Sequence, residues 1–174
     1  MRHESDPVHC DAACIGIRAA ETADIPALLA IEERSFATDR MTRRNFRYAI
    51  RQAKGVVLVA YRQVPKVQER PLAHEPDAYG VVGFHAGTPF ARLTSFAVAP
   101  DKRGQGLGRS LLAALETAAA GHGCRGMRLE VRADNAAAIA LYTAAGYRRF
   151  SLYPDYYEDG MAALRLEKRL YPGE

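Results

Sequence analysis

The sequence predicts an α/β fold of the α+β kind: one mixed, mostly antiparallel sheet of about seven strands flanked by four helices. Three observations carry this. Seven short stretches are β-rich or alternate apolar with polar residues, and four longer ones repeat apolar residues at helical spacing. With 174 residues, 48% of them hydrophobic and 25% charged, the chain suffices for one core, and no repeat or linker divides it.

Residues 1–14 read as a disordered polar leader and 15–174 as a single domain. Ile15-Gly-Ile-Arg-Ala alternates as a first strand. Thr22, with Asp24 behind it, is the expected cap of a helix built on Ile25, Leu28, Leu29 and Ile31 and ending near Phe36. Thr42 caps a second helix from Arg43 to about Ala53, with Phe46 and Ile50 inward. Its Arg43, Arg47 and Arg51 share another face, either a solvated surface or a rim that screens acidic substrates.

The apolar run from Val56 to Arg62 reads as a strand covered on both faces, and residues 64–77, with three prolines, as a loop. Strands follow at 78–86 and 92–99, then a helix beginning near Gly106 and a strand at Met127 to Val131. Asp134 is the expected cap of the last helix and Gly146 its C-terminal stop. Strands at 147–152 and 161–170 bracket a loop from Tyr153 to Gly160.

No apolar run reaches the roughly 18 residues that span a bilayer, and the N-terminus lacks the apolar core of a secretion signal, so a cytoplasmic protein is expected. Cys10, Cys14 and Cys124 show no paired spacing, and together with His3 and His9 they match no zinc pattern; no metal is expected. The net charge of +4 is mild and the basic residues are not interleaved with aromatics, so neither nucleic acid nor membrane is an expected partner.

Gly104, Gly106 and Gly108 stand between a strand ending at Pro100 and a helix, where unpaired amides carry partial positive charge. They read either as a pyrophosphate cradle or as a tight turn that uses glycine for positive φ. Arg109 and Ser110 after the last glycine exclude a P-loop, and the spacing G-x-G-x-G departs from the dinucleotide fingerprint.

In Met127-Arg-Leu-Glu-Val-Arg132 the charged residues share one face of a strand that should be covered. Glu130 therefore either pairs with a neighbouring arginine or lines a site. Glu130 lies roughly 13 Å back from the strand-to-helix turn and Tyr142 roughly 12 Å back along the helix, which brings them level. A carboxylate takes a proton from an ammonium nucleophile and a tyrosine gives one to a leaving thiolate; the alternative is a core tyrosine and a buried ion pair.

Arg103-Gly-Gln-Gly-Leu-Gly108 resembles the acyl-CoA loop Q/R-x-x-G-x-G/A of the GNAT N-acetyltransferases, and Leu129 to Tyr147 resembles the RimI-type branch, which acetylates a ribosomal protein's N-terminal amine. The resemblance implies that Phe96 and Val98 offer backbone groups to the pantetheine arm of acetyl-CoA, with Ala97 between them a further cofactor contact. It further implies that Arg103, Gly104, Gln105, Gly106, Leu107, Gly108, Arg109 and Ser110 hold its pyrophosphate. Asn135 is an implied cofactor contact, Glu130 the implied general base and Tyr142 the implied general acid and a further contact. The implied partners are acetyl-CoA and a protein or peptide N-terminus, with the protein a monomer or weak homodimer. Related enzymes use lysine side chains or small-molecule amines, and a silent CoA-binding module is a third class. Cys124 lies outside the expected site, so transfer is expected to be direct.

Overall fold

A computed structural model describes residues 14–52, 54–63 and 74–171. The expected leader and most of the expected 64–77 loop lie outside them. The elements are β1 (Ile15–Ala19), α1 (Ile25–Ser35), α2 (Arg43–Arg51), β2 (Gly55–Arg62), β3 (Ala78–Gly83), β4 (Phe90–Val98), α3 (Leu107–Gly121), β5 (Gly126–Arg132), α4 (Ala136–Ala144), β6 (Arg148–Tyr153) and β7 (Ala163–Arg169). They form one sheet in the order β1-β2-β3-β4-β5-β7-β6, in which β4 and β5 are the single parallel pair. A parallel pair needs a crossover, and α3 supplies it.

Two cores sandwich the sheet. Ile25, Leu28 and Phe46 of α1 and α2 pack against Val59, Tyr79, Val81 and Ala97. Across the sheet Leu107, Leu111, Leu115 and Tyr142 of α3 and α4 pack against Val82, Leu93, Leu129 and Leu166. Each fully buried leucine contributes about 1.5–3 kcal/mol. Among the described residues no helix is long and apolar enough to cross a membrane.

Two caps differ from expectation, both because an arginine claims the expected carboxylate or its turn. Thr22–Asp24 is a 3-10 turn, and Asp24 accepts from the Glu21 amide at 2.8 Å and from both terminal nitrogens of Arg18 at 2.7 and 2.8 Å. Asp134 pairs with Arg132 at 3.1 Å, so Asn135 caps α4 by accepting from the Ala138 amide. Thr42 caps α2 as expected, and Gly146 ends α4 at φ +96°.

The feature that positions the site is a bulge. Val81 pairs with Ser95 but Val82 with Leu93, which leaves Thr94 as an extra residue on β4. On the other flank, β4 pairs with β5 only over residues 90–93 and 126–129. Among the described residues β4 is bonded from residue 94 onward to β3 alone, and a wedge opens between β4 and β5.

Candidate active site

The glycine loop sits at the head of the wedge. Gly104 and Gly106 adopt φ of +73° and +83°, so both demand the left-handed freedom of glycine. Among the described residues nothing lies within 4 Å of where a Gly104 Cβ would be. Gly108 has ordinary φ and lets α3 approach Val98 and Leu141. The first amide beyond the loop to reach a backbone carbonyl is that of Ser110, bonded to Gly106 at 3.1 Å. The preceding amides, at the N-terminus of a 15-residue helix, have no hydrogen-bond partner among the described residues, and the open loop suits a pyrophosphate.

The other expected cofactor residues divide. Phe96, Ala97 and Val98 all lie on the open part of β4, with the Ala97 side chain turned into the α1 core. Arg103 donates to the Val98 carbonyl at 3.2 Å, Gln105 accepts from Arg62, and Arg109 is exposed. The Leu107 side chain is buried in the core, so only its backbone faces the loop. The Asn135 side-chain oxygen is committed to its cap.

Glu130 combines the two roles that its pattern left open. It takes Arg92 at 3.1 Å and Arg165 at 3.6 Å, and it lines a recess of about 110 Å³ on the sheet face. Leu129 and Val131 on either side enter the α3 core, so Glu130 points to the opposite face. Tyr142 belongs to that α3 core, its ring edge-on to Phe96 and Tyr147. Base and acid candidates thus flank the wedge from opposite faces. Burial pushes the Tyr142 hydroxyl well above the usual tyrosine range, which keeps it protonated, and it makes no hydrogen bond among the described residues.

Tyr157 was not singled out in the sequence. Half-buried in the loop before β7, it is pushed up to about 12, chiefly by burial and also by the charges of Tyr156 and Glu130, while its own charge raises Tyr142. Its hydroxyl therefore stays protonated at neutral pH. Glu32 was also missed. This buried carboxyl of α1 accepts from the Met41 amide at 2.9 Å, from Ser95 at 3.2 Å and from Tyr79. It ties the α1–α2 connector to β4 one residue past the bulge. The pattern of α1 carries no sign of it, since Glu32 stands beside a second glutamate, Glu33, next to the apolar stripe.

With this geometry, residues 27–147 match the acetyltransferase (GNAT) family. The chain belongs to that family. It is 46% identical over 67 residues to the ribosomal protein bS18-alanine N-acetyltransferase of Escherichia coli K12, a match covering 38% of this chain and 45% of that protein. An uncharacterized protein of Mycobacterium leprae is 30% identical over 178 residues, covering 97% of this chain and 44% of that protein. The chain thus spans less than half the length of these curated relatives. In structure, this GNAT chain resembles the ribosomal-protein-S18-alanine N-acetyltransferase from Escherichia coli, with a TM-score of 0.75 and 28% identity over 92% of this chain and 97% of that one. The GNAT match agrees with the expected mixed α/β architecture: seven strands and four helices.

Proposed function

We propose that the chain transfers the acetyl group of acetyl-CoA to a primary amine, and that the amine is the N-terminal α-amine of a protein. The observation that carries this is the wedge, with free loop amides at its head, Glu130 on one face and Tyr142 on the other. The likeness to the bS18-alanine enzyme supports the α-amine and a ribosomal acceptor.

Acetyl-CoA supplies an acetyl group activated as a thioester. Amides of residues 104–109 hold the pyrophosphate, and the open flank of residues 94–98 offers backbone groups to the amide-bearing arm and to negative charge developing on the carbonyl oxygen. Glu130 accepts a proton from the ammonium, directly or through water, which frees the lone pair that forms the C–N bond. As the C–S bond breaks, Tyr142 gives its proton to sulfur. Cys124, buried at the α3–β5 turn, takes no part.

The test is incubation with acetyl-CoA and a library of peptide N-termini, read by mass spectrometry for α against ε acetylation. Acetylation of α-amines that falls with Glu130→Gln is the expected result. Modification of lysine side chains alone, or equal turnover by the variant, overturns the acceptor or the base respectively.

A further inference from the structure

The charges around Glu130 form a second pattern, one that bears on which amines the proposed transferase accepts and that rests on that reading. Directly paired residues share a sheet face. Arg92 is opposite Arg128, Arg128 is opposite Glu167, and Glu130 is opposite Arg165, so five charges tile one patch. Arg128 is satisfied by Glu167 at 2.9 Å. Arg92 and Arg165 are left to share the single carboxylate of Glu130.

Neither is saturated there. The Arg92 side chain is half-exposed, and Arg165 faces Glu130 only through its buried Nε at 3.6 Å, beyond hydrogen-bond length, while its terminal nitrogens donate no hydrogen bond among the described residues. Rings hold Arg165 and the neighbouring Arg128 in place, though none lies against Arg92 among the described residues: Arg128 lies 4.0 Å from the Phe90 centroid and 4.9 Å from Phe150, and Arg165 lies 4.7 Å from Phe150 and 4.5 Å from Tyr153. Stacked guanidinium groups lose little freedom when an anion arrives, and their planar fork matches a carboxylate. The recess they line, about 110 Å³, has the volume of roughly three or four waters, enough for the end of an acidic side chain.

An ammonium that reaches Glu130 meets two cations already on its oxygens. A neutral or basic acceptor leaves three positive groups around one negative group. An acceptor with its own carboxylate gives the guanidinium pair a second anion and releases Glu130 to the amine. We propose that Arg92 and Arg165 form an acceptor subsite for a carboxylate close to the reacting amine, as in a polypeptide whose first or second residue is Asp or Glu. The carboxylate of such a residue lies within a few ångströms of the α-amine, the scale of the Glu130-to-arginine distances.

The experiment measures kcat/KM of the full chain with acetyl-CoA and peptides that begin Asp-, Glu-, Ala-Glu-, Ala-Ala- and Ala-Lys-, with free aspartate and glutamate as a separate arm. Acidic peptides should exceed neutral ones by about 10–100-fold, the effect of one charge-assisted hydrogen bond. Arg92→Gln, at a half-exposed position that tolerates change, should move this ratio toward one through KM, and Arg165→Gln should do the same. If the arginines only orient Glu130, each variant lowers every acceptor by the same factor and the ratio stands, which overturns the subsite. A wild-type ratio at or below one overturns it too and leaves the acetyltransferase reading intact. No turnover with any amine overturns both. Preference for the free amino acids over the peptides upholds the carboxylate subsite and names its source.

Discussion

Glu130 and Tyr142 differ in how directly their replacement tests a role. In Tyr142→Phe the ring keeps its edge-on contacts with Phe96 and Tyr147 and loses only a hydroxyl. The expected outcome is an unchanged melting temperature with kcat lowered by about 10²–10⁴-fold in a thiol-release assay. Glu130→Gln keeps an acceptor for Arg92 but takes no proton, and the same fall is expected while acetyl-CoA still binds. Polar–apolar alternation made the direction of Glu130 legible. Its partners were not, because Arg92 and Arg165 reach it through pairings of β5 with two strands distant in the chain. The caps slipped for a related reason: Asp134 suits a helix start, but the arginine two residues before it forms an ion pair with it. Asn135→Ala should therefore cost about 1 kcal/mol in a denaturant melt, as for loss of an N-cap.

At the scale of elements, the strands and helices were readable from their period or, as at Val56 to Arg62, from an unbroken apolar run, with ends displaced by a few residues. The strand expected through Ala86 stops at Gly83, and the next starts at Phe90 rather than Arg92. The wedge was not readable. It depends on a one-residue shift at Thr94, which no glycine or proline announces. The seat of α3 depends instead on a glycine inside β3. A Cβ on Gly80 would fall 2.4 Å from Leu115 Cδ1 and 3.2 Å from the Phe96 ring, between the sheet and its crossover helix. Gly80→Ala should destabilise the fold by about 1–3 kcal/mol, the cost of overpacking, measured by denaturant midpoint. Gly108→Ala meets neighbours only at 3.4 Å or beyond with ordinary φ, and should leave stability equal or raised. A loss at Gly108 as large as at Gly80 would refute this account of how α3 sits.

Across the whole molecule, Glu32 links α1, the α1–α2 connector, β3 and β4. Burial raises its carboxyl above the ordinary glutamate value of about 4.3. A raised folded-state value means that the native protein binds the proton more tightly than the unfolded chain. This contribution to stability is complete below the ordinary value and is lost as pH rises through the folded-state value. Glu32→Gln, which cannot ionise, should therefore gain melting temperature relative to wild type as pH is raised from about 4 to 8; a constant difference would show that Glu32 does not titrate in that window. The wedge has a consequence at this scale too. Besides the outer flanks of β1 and β6, the sheet has a short internal edge along residues 94–98. Exposed edges invite pairing with another chain and aggregation. This one faces the diverging β5, with β3 on the other flank of β4. The same bulge thus sets an unpaired strand edge inside the sheet rather than at its rim.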